Sequence, residues 1–311
     1  MSESIDVIAS VARSAAADAV WRQWALLGAP VTGASGAPRS VIDPEALLLL
    51  SAAIRASERR LDDVLNWWAT TGSTLLSVQR TTTLLRRFPP STRSGVASFA
   101  LAAVEAGDNR WRTLARASGG ASLASRGKRG REPRLTPSPA LMLRLRAGFG
   151  VGVKADLLGI LLAMGGSDAT VRNLAQASAY TPAAVRRAAQ EMEAAAFIRG
   201  THSRPVAYYV DPARWTAMLD GSGPADSGQG WRNFAQIFAF LAWVGAWGDD
   251  QRDASAYVAS TAARDLYETH RPAFELNRIP VPDPARSTGA AYLDGFAATV
   301  RMVSDWLEAN L

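Results

Sequence analysis

The chain contains no cysteine and only two histidines, His202 and His270. Without thiols it can form neither a disulfide nor a zinc site with thiolate ligands, and two imidazoles are too few for a histidine metal cluster. The sequence therefore predicts no metal or other cofactor. The lack of cysteine is also consistent with a cytoplasmic protein, because disulfides are rare in the cytoplasm.

The chain also lacks a long apolar run. Its longest apolar stretch, residues 234–247, spans 14 residues, whereas a membrane-spanning helix needs ~20. Such a stretch is typical of a buried helix. The first ten residues carry acidic side chains and no basic ones, which argues against a signal peptide. We therefore expect a cytoplasmic protein with no membrane segment.

Catalytic motifs are equally scarce. Asp62 and Asp63 are adjacent, so their carboxylates point apart on a helix and are poorly placed for shared acid and base chemistry. Glycines precede Lys154, but a phosphate-binding loop requires Ser or Thr after its lysine, and Ala155 stands there. A nucleophile elbow and an HExxH motif are also missing. The sequence predicts a protein that is not an enzyme.

Charge is unevenly distributed along the chain. The net charge is +6 and the isoelectric point is near 10.1. Residues 1–230 hold 27 Lys and Arg against 18 Asp and Glu, a net of +9, whereas residues 231–311 hold 7 against 10, a net of −3. The first part of the chain therefore favours an anionic partner such as nucleic acid.

Residues 154–211 carry the clearest succession of local signals. Leucines at helical intervals predict a first helix, which a pair of glycines beginning at Gly165 ends. Asp168 or Thr170 can cap a short second helix. Thr181, followed by a proline at the first helical position, begins a third. Three consecutive helices are thus expected.

The third helix has two distinct faces, and a hairpin follows it. Val185, Ala189 and Met192 share one face at steps of four and three, which predicts burial, while the opposite face is basic. Residues 197–198 and 206–210 predict two short strands joined by a polar turn. Three helices followed by a hairpin are typical of a winged helix.

This stretch resembles the winged helix-turn-helix of bacterial transcription regulators of the MarR and ArsR kind. In that family the third helix enters the major groove of DNA, and the wing lies along the backbone or the minor groove. The resemblance implies contacts to bases or phosphates from Thr181, Ala183, Arg186, Arg187 and Gln190 on the third helix, and from Arg199, His202 and Arg204 on the wing.

A basic segment precedes this stretch. Residues 124–139 contain glycines and prolines that discourage regular structure, and they hold five basic side chains against one acid, Glu132. Two interpretations stay open: a solvated linker, or an arm that contacts phosphates and makes binding more salt-dependent. The basic residues are Arg126, Lys128, Arg129, Arg131 and Arg134.

Further helices are predicted before this segment. Asp43, followed by a proline, opens an apolar helix, and Ser77 caps a short helix. The arginines of that short helix, Arg80, Arg86 and Arg87, are expected to face solvent, with contact to phosphates as the alternative.

Length and composition set the domain organisation. The chain has 311 residues, of which 48% are hydrophobic, so two or three packed domains of the usual ~100 to 200 residues are expected. We predict a mainly α protein with a winged helix-turn-helix and its β-hairpin wing between two helical domains. The ranges are 1–118 for the helical N-terminal domain, 119–139 for a basic linker, 140–220 for the winged helix, 221–230 for a second linker and 231–311 for the helical C-terminal domain.

The sequence thus predicts a DNA-binding transcriptional regulator. We expect a homodimeric bacterial repressor that places its third helix in the major groove of double-stranded DNA. The alternative is a protein-interaction or antitoxin-like module whose winged helix docks a partner protein.

Overall fold

The computed structural model describes residues 4–29, 39–116, 132–219, 230–283 and 287–311. Within these ranges the chain is mainly helical, which confirms the predicted fold class at that level. The N-terminal helices are α1 (Ile5–Leu26), α2 (Pro44–Ile54), α3 (Leu61–Thr71), α4 (Val78–Leu85), α5 (Thr92–Glu105) and α6 (Arg112–Ala115). The middle of the chain holds α7 (Leu141–Phe149), α8 (Val153–Ala163), β1 (Ala169–Thr170), α9 (Val171–Ser178), α10 (Pro182–Ala194), β2 (Arg199–Gly200), β3 (Ala207–Tyr209) and α11 (Pro212–Thr216). The last helices are α12 (Phe234–Asp250), α13 (Ala256–Leu276) and α14 (Gly289–Asn310).

Several helices begin where the sequence predicts. The side chain of Asp43 accepts a hydrogen bond from the backbone nitrogen of Ala46 at 3.1 Å, and Ser77 accepts one from Arg80 at 3.2 Å. Each bond satisfies a backbone donor that the first turn leaves without a helical partner. The predicted starts of α2 and α4 are confirmed.

The larger hydrophobic core joins the two ends of the chain. Buried side chains of α1 to α5 and of α12 to α14 form one continuous cluster. At its centre Trp68 packs against Trp24 and Trp67, with ring centroids 5.1 and 5.4 Å away. Helix α12 lies close to α1, as Gly248 shows, since a Cβ added there would collide with Ala9. The predicted buried helix over residues 234–247 therefore lies within α12 and against α1.

A second core belongs to the middle of the chain. It contains side chains of α7 to α10 and of the strands, together with Trp215 of α11 and Val41. The predicted domain boundaries stay predictions, and most of the two predicted linkers lies outside the described residues.

The strands form one small antiparallel sheet in the order β1-β3-β2. Ala169 of β1 lies opposite Tyr208 of β3, and Arg199 of β2 lies opposite Tyr209. Strand β1 contacts α9. In the described part of the chain, no helix combines the length and the apolar character needed to cross a membrane.

Candidate functional site

Helices α9 and α10 are joined by a tight turn. Thr170 caps α9 by accepting from the backbone nitrogen of Asn173 at 3.3 Å, and α9 ends at Ala179, whose φ of 59° lies in the left-handed region. Thr181 then caps α10 by accepting from the Ala184 nitrogen at 3.3 Å. Because the turn is so short, the two helices have a fixed mutual orientation.

The inner face of α10 packs as predicted. Val185, Ala189 and Met192 are buried in the second core, with Ala188 beside them. They contact α8 and α9. Because this face is held by the core, the opposite face must point to solvent.

The outer face of α10 carries the residues predicted to contact DNA. All five are exposed, and neither arginine forms an ion pair within the described ranges. The acids of α10 have other partners: Glu191 pairs with Lys154 of α8 at 2.7 Å, and Glu193 accepts from the Gly200 nitrogen at 3.0 Å. The hydrogen bond and charge of Lys154 and, to a smaller extent, the charge of Arg187 lower the pKa of Glu191. The outer surface is therefore basic. Its five residues are Thr181, Ala183, Arg186, Arg187 and Gln190.

The hairpin that follows α10 presents the other predicted residues. Strand β3 lies within the predicted residues 206–210, whereas β2 at residues 199–200 follows the predicted residues 197–198 without overlapping them. Thr201 organises the turn, since its nitrogen donates to the Ala207 carbonyl at 2.8 Å and its Oγ1 accepts from the Ala207 nitrogen at 3.0 Å. The predicted wing residues are all exposed: Arg199, His202 and Arg204.

An electrostatic interaction connects α10 with the hairpin. Burial and the charge of Glu193 raise the pKa of Tyr208 in β3, and the charge of Arg186 opposes them. Arg186 of α10 therefore lies within electrostatic range of the Tyr208 side chain.

The predicted basic arm is described only at its end. Arg126, Lys128, Arg129 and Arg131 lie outside the described residues. Arg134 is exposed, and its backbone nitrogen donates to the carbonyl of Leu27, directly after α1, at 2.8 Å. This end of the segment is therefore attached to the N-terminal helices.

The prediction that Arg80 faces solvent or phosphate is wrong. Arg80 is fully buried. Its two terminal nitrogens donate to the carboxylate of Asp43 at 2.6 and 2.5 Å, and one of them also donates to Glu45. Its Nε donates to the carbonyl of Ser178, at the end of α9, at 2.8 Å. Such a geometry satisfies a buried guanidinium, which water cannot reach.

A second buried arginine completes this ion cluster. Nε and Nη2 of Arg146 donate to Asp156 at 2.6 and 2.9 Å, and Nη1 and Nη2 donate to Glu45 at 2.6 and 3.0 Å. The hydroxyl of Tyr180, in the α9–α10 turn, donates to Asp156 at 2.9 Å. Burial, and then the charge of Asp156, raise the pKa of Tyr180, which keeps this hydroxyl protonated. We call Asp43, Glu45, Arg80, Arg146, Asp156 and Tyr180 the buried ion cluster.

The buried ion cluster joins the two cores. Its side chains come from the start of α2, from α4, α7 and α8, and from the α9–α10 turn. Because each charge is buried, separating these elements would expose charges to water or leave them buried without a partner. The cluster therefore fixes the base of α10 on the helical scaffold.

The described residues contain no group of three or more His, Cys, Asp or Glu side chains placed to hold a metal ion. No protein-family model, curated protein or solved structure matches the chain.

Proposed function

We propose that the chain is a DNA-binding transcriptional regulator and that α8 to β3 form a winged helix-turn-helix. The observation that carries this proposal is the order α8, β1, α9, α10, β2, β3, with the sheet order β1-β3-β2. In this arrangement α10 is the third helix and the β2–β3 hairpin is the wing. Both present exposed basic side chains.

The dimensions of α10 suit a major groove. The groove of B-DNA is ~12 Å wide and admits one α-helix, whose diameter with side chains is ~10–12 Å. Arg186, Arg187 and Gln190 can donate hydrogen bonds to base edges or phosphates. The wing arginines then lie along the backbone.

The same surface suggests modest base readout by one subunit. Ala183 is exposed near the start of α10 but offers no hydrogen bond to a base. Discrimination between DNA sequences then rests on Arg186, Arg187 and Gln190 and on DNA shape. A homodimer on two half-sites doubles that readout, and occupying a promoter in this way makes a repressor.

A second candidate is a protein-docking module. Phe149 and Phe197 are 52% and 48% exposed. Their ring centroids lie 6.5 Å apart, and each lies about 6 Å from Trp215 beneath them. Exposed aromatic clusters are typical of protein interfaces. This surface supports an interaction partner in addition to DNA or instead of it.

Fluorescence anisotropy on labelled genomic fragments tests the DNA proposal. The double variant Arg186→Ala/Arg187→Ala should bind at least about 10-fold more weakly, since a base-reading arginine contributes about 1–3 kcal/mol. The slope of log affinity against log salt should fall by up to about 2. Arg112→Ala/Arg116→Ala is the matched control, because it removes the same charge from exposed positions around α6. It should change affinity less than about 2-fold.

The outcomes separate the two candidates. If both double variants weaken DNA binding equally, α10 contributes only its net charge. That result would contradict its role as the helix that contacts bases. If no fragment binds at 50 mM salt and a stoichiometric protein co-purifies through Phe149 and Phe197, the docking module is the correct function.

A further inference from the structure

An aromatic face lies at the end of α10. Phe197 follows the helix, and its backbone nitrogen donates to the Met192 carbonyl at 2.9 Å, which holds it against α10. Phe149, at the end of α7, packs beside it over Trp215, and the three ring centroids lie 6.0 to 6.5 Å apart. Trp215 belongs to the second core. We call Phe149, Phe197 and Trp215 the aromatic face.

The described part of the chain leaves the two phenylalanines of this face uncovered. Phe149 and Phe197 are each about half exposed, and Met218, which lies one turn after Trp215, is 64% exposed. A Cβ added at either glycine that flanks Phe149 would meet no atom within 4 Å. The backbone around Phe149 is therefore open to a partner, and neighbouring apolar side chains that stay exposed mark a contact surface.

Two ion pairs stand close to the aromatic face along the chain. Arg214, next to Trp215, pairs with Asp211 at 3.6 Å, and Lys154 pairs with Glu191 of α10 at 2.7 Å. Each pair is neutralised within the chain. A second copy of the same surface therefore meets no excess of like charge at these pairs, as it would if either partner stood alone.

The position of the face relative to α10 suits a second copy. Arg187 precedes Phe197 by ten positions, and ten helical residues span roughly 15 Å. A two-fold axis through the face then puts the two Arg187 positions roughly 30 Å apart, and the rings in contact add ~5 Å. Half-sites on DNA recur every ~34–36 Å. Two copies joined at this face therefore space their α10 helices by about one turn of DNA.

We propose that the aromatic face is a dimer contact and that its occupant is a second copy of this chain. The proposal rests on the proposed DNA function, because the spacing of α10 identifies the occupant. Two half-exposed rings bury about 200 Å² per copy, well below the ~800 Å² per partner of a stable interface. The free dimer is therefore weak, with a Kd on the order of 10–100 µM, and paired half-sites on DNA stabilise it.

Sedimentation equilibrium of the full chain without DNA measures the self-association. Wild type should pass from monomer to dimer between about 5 and 200 µM. Phe197→Glu places like charges near the axis and should weaken the dimer at least about 10-fold. Tyr257→Glu is the matched control, because Tyr257 is an aromatic residue of α13 that is 72% exposed. It should change the Kd less than about 2-fold.

Three results would overturn the proposal. A wild type that stays monomeric leaves the face to a different protein. If wild type and Phe197→Glu dimerise equally, or if both variants lose the dimer equally, the contact between copies lies elsewhere.

Cross-linking locates the contact without altering either phenylalanine, so it is independent of how Phe197→Glu folds. The chain has no cysteine, and Gly148→Cys introduces a single thiol beside Phe149. A short bismaleimide should link two copies of this variant. Thr261→Cys, which is exposed on α13, should link at least about 5-fold less. Equal yields from the two variants contradict the assignment.

The dimer contact and the DNA function fail separately, because neither measurement contains DNA. A chain that dimerises through the face but binds no genomic fragment keeps the contact and loses the regulator. A chain that binds fragments but stays monomeric up to about 200 µM keeps the regulator and loses the contact.

Discussion

Glu45 gives the sharpest test of the buried ion cluster. Its carboxylate accepts from Arg146 at 2.6 and 3.0 Å, from the backbone nitrogen of Ser77 at 2.7 Å, and from Arg80. Glu45→Gln keeps the shape of the side chain but removes its charge, and it places an amide donor against guanidinium donors. The free energy of unfolding should therefore fall at pH 7.

The pKa of Glu45 sets the magnitude. Burial alone would raise this pKa, but the charges of Arg146 and Arg80 outweigh burial and lower it from 4.5 to about 2. One pKa unit corresponds to about 1.4 kcal/mol, so the shift stabilises the folded state by about 3 kcal/mol at pH 7. Because the folded-state pKa is the lower one, this stabilisation is complete above the unfolded-state value and is lost as the pH falls toward 2. About 1 kcal/mol remains at pH 3.

Urea denaturation followed by tryptophan fluorescence measures the effect. Wild type and Glu45→Gln should differ by about 3 kcal/mol at pH 7 and by about 1 kcal/mol at pH 3. Glu308→Gln is the control, since Glu308 is 73% exposed in a 3.6 Å ion pair with Arg22. It should change stability by less than about 0.5 kcal/mol at both pH values. An equal difference between wild type and Glu45→Gln at the two pH values would refute the role of charge pairing.

Four further variants have expected outcomes in the same denaturation assay. Tyr180→Phe should destabilise by about 1–2 kcal/mol, because it removes a hydroxyl that donates to a buried carboxylate, and an unchanged urea midpoint would contradict this. Gly95→Ala should destabilise by about 1–3 kcal/mol, since the added Cβ would lie 2.7 Å from the Ala52 carbonyl oxygen. At Gly148 an added Cβ meets no atom within 4 Å, so Gly148→Ala should stabilise α7 by about 0.5–1 kcal/mol. Stability changes of the same sign in Gly95→Ala and Gly148→Ala would be inconsistent with the packing. Burial lowers the pKa of His270 from 6.5 to about 4, so wild type should lose about 2–3 kcal/mol between pH 7 and pH 4.5 as the unfolded chain takes up the proton. His270→Phe should not show this part of the loss. If wild type and His270→Phe lose stability equally as the pH falls, the lowered pKa of His270 is disproved.

The helix starts were predictable because capping is local. Asp43, Ser77 and Thr181 each precede a run of helical residues, and each side chain accepts from the backbone nitrogen three residues further on. The inner face of α10 was predictable for a similar reason, since helical periodicity needs no knowledge of the partner. Both signals lie within one helix.

The sheet was predictable only in part. The β2–β3 hairpin follows α10 directly, and a polar turn between apolar residues indicates it. Ala169 and Thr170 form β1, but two residues show no periodicity of their own. Their strand conformation comes from pairing with β3, which lies beyond α9 and α10 in the chain. Only tertiary contact could reveal it.

The buried ion cluster was missed because its pairs are remote in sequence. Arg80 pairs with acids 35 and 37 positions away, and Arg146 pairs with one 101 positions away. An arginine on a short helix is usually solvated, so Arg80 carried no local sign of burial. Glu45 did carry one, since it stands at the start of a helix that is otherwise apolar on nearly every side. An acid in such a helix needs a cationic partner.

Helix α4 links α12 to the α9–α10 turn. Near its start, Arg80 donates to the Ser178 carbonyl of that turn at 2.8 Å. Just after its end, the carbonyl of Arg87 accepts from the indole nitrogen of Trp243 of α12 at 2.8 Å. These partners lie 98 and 156 positions away along the chain. A helix whose contacts are this remote carries no local sequence signal for them, so only the folded structure shows that α4 connects the larger core to the base of α10.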